Sequence, residues 1–470
     1  MDDSLTILQV NSYDVGGGAE KVAVELRRLY AEMGHESYLA VGRKRGVGPN
    51  VFQVRHGPWH NAVQVVSGIL AHHFGHIRGT TRLSNLVQYF AQPLSWTRAR
   101  RGYDIPRYRD SSALLELPPR TPDVLHLHNL HGFTYGACGY FDLRALPGLS
   151  RRLPVVLTMH DAWLLSGHCA HSFACERWKT GCGECPDLTI YPSIPVDRTA
   201  ENWRERRDIY RDSRLYVATP SRWLMDKVSQ SILASGIAEA RVIPNGVDLT
   251  VFKPGDRAEA RAALGIGGLT ERTRILLFAA GSLRRNPFKD YATLRIAVER
   301  LGERVGGSDL VLLALGDRGR EERVGGARVC FVPYENDPRK VARFYQAANI
   351  YVHPAKADTF PTTVIEALAC GTPVVATAVG GIPEQIQSLQ SPMGLSVEPR
   401  GVDRATGLLT AIGDAVGLSD ALELLLTNDS LQRQLGENAA TDARVRFDGQ
   451  QQARAYLEWY WEILGQRRNA

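Results

Sequence analysis

The sequence predicts an α/β protein built from two doubly wound parallel sheets. Three observations carry this. Short, nearly continuous apolar runs recur along the chain, as in strands buried on both faces of a parallel sheet. Amphipathic stretches separate them, and such strand–helix alternation makes parallel sheets covered by helices. The rhythm stops near residue 240 and restarts near 274, and 470 residues are too many for one core but suit two domains.

The first series has candidate strands at LTILQV (5–10), SYLAVG (37–42), DVLHLHN (123–129), PVVLTMHD (154–161) and RLYVATPS (214–221). Val22, Leu26, Leu29 and Met33 between them mark one face of a helix. The second series is RILLFAAG (274–281), DLVLLALGD (309–317), VCFVPY (329–334), NIYVHPA (349–355) and PVVATAVGG (373–381). RVIPNGVDLTVFKPGDR (241–257) is rich in Pro, Gly and Asn and reads as the connection. The expected domains are therefore 1–240 and 241–450, with a C-terminal helix over 451–470. In that helix Tyr456, Trp459, Trp461 and Ile463 are too apolar to be left free. Residues 55–120 read as an insertion whose role is packing, or acceptor or membrane contact, and 387–405 as a surface loop.

Composition narrows the class. Hydrophobic residues at 44% and charged residues at 23% are those of a globular protein. No apolar run reaches the ~18 residues of a membrane span. The acidic MDDSLTILQV start lacks a basic n-region, so no secretory signal is expected and a cytoplasmic setting is the default. A net charge of +6 suits an anionic ligand or membrane surface and is too weak to argue for nucleic acid.

Several motifs sit where strands end. VNSYDVGGGAEK (10–21) is a strand, a glycine triplet and a helix. Gly17 and Gly18 let backbone approach a ligand, and the helix N-terminus offers N–H groups to an anion; a plain tight turn is the alternative. AGSLRRNPFKDY (280–291) puts Arg284, Arg285 and Lys289 at a strand's C-terminal end, where cations neutralise a phosphate or diphosphate. In HPAKADTFPTTVIEALACGTPVV (353–375), Asp358 and Glu366 stand seven residues apart. One is on the loop and one inside a helix opened by Pro361, Thr362 and Thr363, whose N-terminus can hold a phosphate. A carboxylate at Glu366 is placed to accept two hydrogen bonds from a ribose diol. His160 ends a first-series strand, as a site residue or a structural one. His126, His128 and His131 end a neighbouring strand.

With these residues in place, the chain resembles the retaining glycosyltransferases of the GT-B fold, family 4. Their signature of an acid, seven residues and Glu, then ALACGTPVV, stands here as D358-TFPTTVI-E366-ALACGTPVV. IPNGVD (243–248), ATPSRW (218–223) and GGGAE (16–20) match the same pattern. The likeness covers the chain apart from 55–120 and 387–405. HLHNLHG, HDAW and the cysteine-rich loop look like a subgroup making bacterial surface polysaccharides.

The resemblance implies two Rossmann-like domains facing a cleft and transfer of a sugar from a UDP- or GDP-linked donor. The acceptor would be a glycan, a lipid-linked molecule or a small molecule. Glu366 would bind the donor ribose, Asp358 the sugar hydroxyls, and Lys289 with Arg284 or Arg285 the diphosphate. His160 would lie beside the transferred sugar, and Gly17 and Gly18 near the diphosphate. Fixed cations would make a divalent metal unnecessary for catalysis, and no DxD motif is present. A front-face, oxocarbenium-like mechanism is the family's implication. Two departures touch the arginine role: Gly281-Ser282 stands for the family's Gly-Arg, and Lys289-Asp290 for Lys-Gly. Peripheral contact with the inner membrane face fits a lipid-linked acceptor. A sugar-nucleotide epimerase of the same fold and a non-catalytic zinc-containing binding protein are the alternative functions.

There are seven cysteines. Cys138, Cys330 and Cys370 are scattered and read as small buried residues. Cys169, Cys175, Cys182 and Cys185 fall in the loop 162–188 and supply enough thiolates for a closed, structural tetrahedral zinc site. His168 and His171 are substitute ligands, and reduced cysteines or a disulfide are the alternatives.

Overall fold

The computed structural model describes residues 4–54, 93–105, 111–131, 140–270, 272–305, 309–392, 394 and 397–468. Most of the expected insertion (55–92 and 106–110), and Cys138, lie outside these. The chain divides into two compact units, Met1–Ile243 with Ala455–Ala470, and Pro244–Arg454.

The first unit holds a seven-stranded sheet. Its strands are β1 (Thr6–Tyr13), β2 (Glu36–Arg43), β3 (Val51–Gln53), β4 (Val124–Leu127), β5 (Val155–Thr158), β6 (Leu215–Thr219) and β7 (Ile237–Val242). They lie in the order β3-β2-β1-β4-β5-β6-β7, with every pairing parallel. The second unit holds β8 (Arg274–Ala279), β9 (Leu310–Leu315), β10 (Glu322–Val324), β11 (Ala327–Val332), β12 (Ile350–His353), β13 (Val374–Thr377) and β14 (Gly407–Thr410). Their order is β10-β11-β9-β8-β12-β13-β14, parallel except for the short β10.

The continuous apolar runs have their cause in the packing. In β8, Ile275, Leu277 and Ala279 enter one core while Leu276 and Phe278 enter another. In β9, Val311, Leu313 and Leu315 separate from Leu310, Leu312 and Ala314 in the same way. Side chains alternate across a strand, so both faces must be apolar when helices cover both. Strands β3, β7, β10 and β14 were not read from the sequence. Three of them are edge strands or a hairpin partner of three or four residues, and β7 alternates half-buried with exposed positions.

In each sheet the strand order reverses once beside the first strand, between β1 and β4 and between β8 and β12. Ligands of open α/β sheets bind outside the carboxyl ends of strands at such a point. The loops after β1 and β4, and after β8 and β12, carry the motifs above.

Residues 455–468 pack within the first unit. Tyr456, Trp459, Tyr460 and Ile463 are fully buried, whereas Trp461, expected to be covered, is 38% exposed. Within 387–405, Ser388 is buried and bridges to Gly407, so that part is not surface loop. The described part of the expected insertion packs: Ile105, Leu114 and Leu115 lie in the first unit's core.

Candidate functional site

In the second unit, two loops zip together at the sheet's reversal. Lys289 bridges to Ala355, Asp290 N–H donates to Pro354 O at 3.0 Å, and Lys356 N–H to Phe288 O at 2.9 Å. This pairing brings Lys289 against Asp358. The Lys289 ammonium is in contact with Asp358 Oδ2 and lies 3.1 Å from His353 Nε2, which is itself 3.0 Å from the same carboxylate oxygen. His353 Nδ1 faces the Tyr351 hydroxyl at 3.0 Å. Burial opposes the charge of Asp358, but Lys289 and His353 hold its carboxyl well below the usual range. Burial first, and the Lys289 charge second, push His353 down to about 4, so it is neutral at pH 7. His353 was missed as a functional residue because it reads as the end of a buried strand.

Glu366 follows from the helix Thr362–Ala369, which opens at Pro361 in an extended conformation. It is 2% exposed and accepts a hydrogen bond from the Tyr345 hydroxyl at 2.9 Å. Thr362 is buried and Thr363 half-buried in the first turn. Gly380 holds the Asp358 loop from below: its φ is +59°, and a Cβ there would stand 1.7 Å from Asp358 O. The two arginines separate. Arg284 donates to Asp317 Oδ2 at 3.1 Å and to Arg318 O at 2.6 Å, and lies over the Phe331 ring. Arg285 is exposed, and its guanidinium has no ion-pair partner among the described residues.

In the first unit, Gly17 is the N-cap of the helix Gly18–Glu32, and Gly17 and Gly18 are exposed. Glu20 is buried beside them; burial raises its carboxyl against hydrogen bonds from the backbone N–H of Glu20 and Gly17. Histidines gather at the ends of β4 and β5. His160 Nε2 lies 3.1 Å from His128 Nδ1, and His128 Nε2 lies 2.9 Å from Gln9 Oε1 on β1. His126 bonds Thr158 and the Tyr460 hydroxyl, each at 2.7 Å, and Thr158 also bonds Tyr456. Burial pushes His126 down to about 3 and His160 to about 4, and holds His128 well below its ordinary value.

Asp161 follows His160 beyond the end of β5. It pairs with His131 Nε2 at 2.9 Å and accepts from Trp163 N–H at 2.9 Å. Burial raises its carboxyl, and His131 more than offsets that. A buried ion pair pins the turn that follows. Arg206 meets Asp104 at 2.5 Å, donates to Trp163 O at 2.9 Å, and stacks 4.1 Å from the Trp163 ring centroid. The indole N–H of Trp163 donates to Asp104 at 3.1 Å.

The four clustered cysteines line one cavity with His168 and Trp178. Burial pushes the thiols of Cys169 and Cys182 up to about 11 and 12. Cys182 Sγ accepts from Gly167 N–H, and Cys185 Sγ lies 3.4 Å from His168 Nε2. Among the described residues no group of three or more His, Cys, Asp or Glu side chains is arranged to hold a metal ion. The expected zinc site therefore has no support here. Among the described residues, too, no helix is long and apolar enough to cross a membrane.

A family model described as Glycosyltransferase Family 4 matches residues 16–251, half of the chain. The chain belongs to glycosyltransferase family 4. A second model, described as Glycosyl transferases group 1, matches residues 273–442 of this glycosyltransferase. WcaC of Escherichia coli (strain K12), named for colanic acid biosynthesis glycosyl transfer, is 25% identical over 406 residues, 82% of this chain and 85% of that one. A D-inositol 3-phosphate glycosyltransferase of Actinosynnema mirum is 35% identical over 228 residues, 45% of this chain and 49% of that one, so the glycosyltransferase spans about half the length of that relative. Sucrose-phosphate synthase from Thermosynechococcus elongatus superposes with a TM-score of 0.60 at 18% identity, over 98% of this chain and 99% of that one. Anabaena Alr3699/HepE in complex with UDP and glucose gives 0.57 at 15%, over 97% and 98%. Both carry the GT-B fold seen here, two Rossmann-like parallel-sheet domains. Neither the epimerase nor the zinc-protein reading finds support among these relatives.

Proposed function

We propose that this glycosyltransferase moves a sugar, with retained configuration, from a UDP- or GDP-linked donor to a glycan, lipid-linked or small-molecule acceptor in polysaccharide or glycoconjugate synthesis. The observation that carries this is the Lys289–His353–Asp358 cluster beside the buried Glu366, at the order reversal of the second sheet. Glu366 takes the donor ribose and Asp358 the sugar hydroxyls. Lys289 serves the diphosphate with Arg285, since Arg284 is occupied by Asp317. The helix N-terminus at Thr362 and Thr363, and Gly17 and Gly18 of the first unit, offer backbone N–H groups to phosphate oxygens.

In this reading the bond from the anomeric carbon to the diphosphate breaks first, and its electron pair leaves with the diphosphate. Lys289 and Arg285 stabilise the charge as it develops, so no divalent metal is required. The acceptor oxygen attacks from the same face, and its proton passes to the departing diphosphate. His160, in the first unit, contacts the transferred sugar. The Anabaena neighbour was solved with UDP and glucose, and WcaC is named for colanic acid biosynthesis; both support the substrate class.

The test is a panel of UDP-, GDP- and dTDP-sugars, with thermal shift and donor hydrolysis as readouts, each with and without EDTA. One nucleotide class should raise the melting temperature, and Glu366→Ala should abolish that shift and turnover. Unchanged donor binding and turnover in Glu366→Ala would sink the assignment.

A further inference from the structure

The first unit contains a hydrogen-bonded chain that the reaction above does not by itself require. Gln9 lies in the middle of β1, and His128 and His160 follow the C-terminal ends of β4 and β5. The register sets Gln9 opposite His126 and His126 opposite Val156. His128 lies two residues beyond His126, with its ring 4.1 Å from that of His126 and 5.3 Å from that of His160, nearly parallel to the latter. Gln9 is fully buried, His128 is 2% exposed, and His160 is half-buried.

The hydrogen-bond directions follow from the amide orientation of Gln9, whose Nε2 is buried without a hydrogen-bond partner among the described residues. Gln9 presents Oε1, which can only accept, to His128 Nε2 at 2.9 Å. His128 Nε2 therefore carries a hydrogen. A neutral imidazole has one donor and one acceptor, so His128 Nδ1 is bare and accepts. Its partner at 3.1 Å, His160 Nε2, must then be the donor. That leaves His160 Nδ1 with its lone pair. Burial keeps both rings neutral at pH 7.

We infer that Gln9 and His128 are positioning residues that hold His160 in the Nε2–H tautomer, so that its Nδ1 accepts a hydrogen bond from a hydroxyl of the donor sugar. The second half rests on the proposed function; the first rests on the geometry of the chain together with the burial that keeps both rings neutral. A sugar hydroxyl supplies the hydrogen this arrangement lacks. A carboxylate or a fluorine at the same position supplies none, so the chain favours a neutral, hydroxylated sugar over a uronic acid.

The experiment uses the intact chain labelled with ¹⁵N-histidine at pH 7.5, with the His160 signals assigned from their loss in His160→Gln. Two-bond ¹H–¹⁵N correlations should show protonated Nε2 and bare Nδ1. Gln9→Met should broaden or reverse that pattern, and should lower kcat on the order of tenfold with little change in KM, by analogy with the outer partners that orient metal-bound histidines, whose loss typically costs about 10–100-fold. His128→Phe, with the chain removed and the ring volume kept, should act alike. Proton on His160 Nδ1, or Gln9→Met and His128→Phe leaving both the tautomer and kcat unchanged, would overturn the positioning role. If His160→Gln itself retains full turnover, the sugar contact falls while the tautomer measurement still decides the first half.

Discussion

The two units solve the same architectural problem with opposite electrostatics. Each ends its sheet reversal in buried polar residues. In the second unit these carry compensated charge: Lys289 on Asp358, with neutral His353 between. In the first unit the histidine chain carries none: His126, His128 and His160 are bonded to Gln9, Thr158 and tyrosine hydroxyls and stay neutral by burial, while the neighbouring Asp161 is paired with His131. A charge pair suits a ligand that brings charge of its own, because an arriving anion exchanges one partner for another. A neutral network suits hydroxyls, which need direction more than field.

The sharpest break in this comparison is Lys289→Ala. It removes the cation from the second unit and leaves Asp358 buried without it. We expect kcat/KM to fall on the order of 10²–10³, as when one oxyanion-stabilising donor is lost. The apparent pKa of His353 should rise, since the cation that opposes its protonation is gone; NMR titration reads this. Turnover within about twofold of the parent would mean that Lys289 serves only the fold.

Acid should separate the units next. A histidine with a folded-state pKa below its unfolded value binds fewer protons when folded. Stability is then lost as pH falls from about 6.5 toward the folded pKa. Among the described residues the first unit has four such groups, His35, His126, His128 and His160, and the second has His353, whose site also holds an acid that keeps its charge. A fully buried histidine held at about 4 costs several kcal/mol across that window. Hydrogen exchange between pH 7 and 4.5 should show β4 and β5 losing protection before β12 and β13. The reverse order would break the comparison.

Gly380→Ala tests the scaffold of the charged site. The left-handed backbone alone costs about 1–2 kcal/mol for a side chain, and the contact with Asp358 O adds to it. The melting temperature and the affinity for donor should fall together. The smallest effect is Ser282→Gly. Ser282 holds φ at +52° after β8, and glycine should relieve about 1 kcal/mol, raising the melting temperature with turnover unchanged.

The second unit was far more legible than the first. Asp358 and Glu366 share one loop and helix, so their spacing survives in the linear sequence, and Lys289 follows a recognisable strand. His353 begins the same segment, yet nothing in a strand-end histidine announces that it will sit between a lysine and an aspartate. In the first unit the partners meet only in the fold: Gln9 and His128 are 119 residues apart, and Arg206 and Asp104 are 102 apart. Local pattern holds no trace of such pairs. The cysteines show the converse. Their spacing brings all four to one cavity, yet no metal-holding group of side chains is formed among the described residues.

The return of residues 455–468 to the first unit bears on the order in which the protein can mature. Tyr456 and Tyr460 supply the hydroxyls that bond Thr158 and His126, and Trp459 donates to Glu239 at 2.9 Å. On the ribosome, the first unit must wait with those partners unmet until the whole second unit has been made. A nascent chain halted before residue 455 therefore exposes a polar gap in its first core. That gap would mark unfinished molecules for chaperones or proteases, and its filling would coincide with completion of both units.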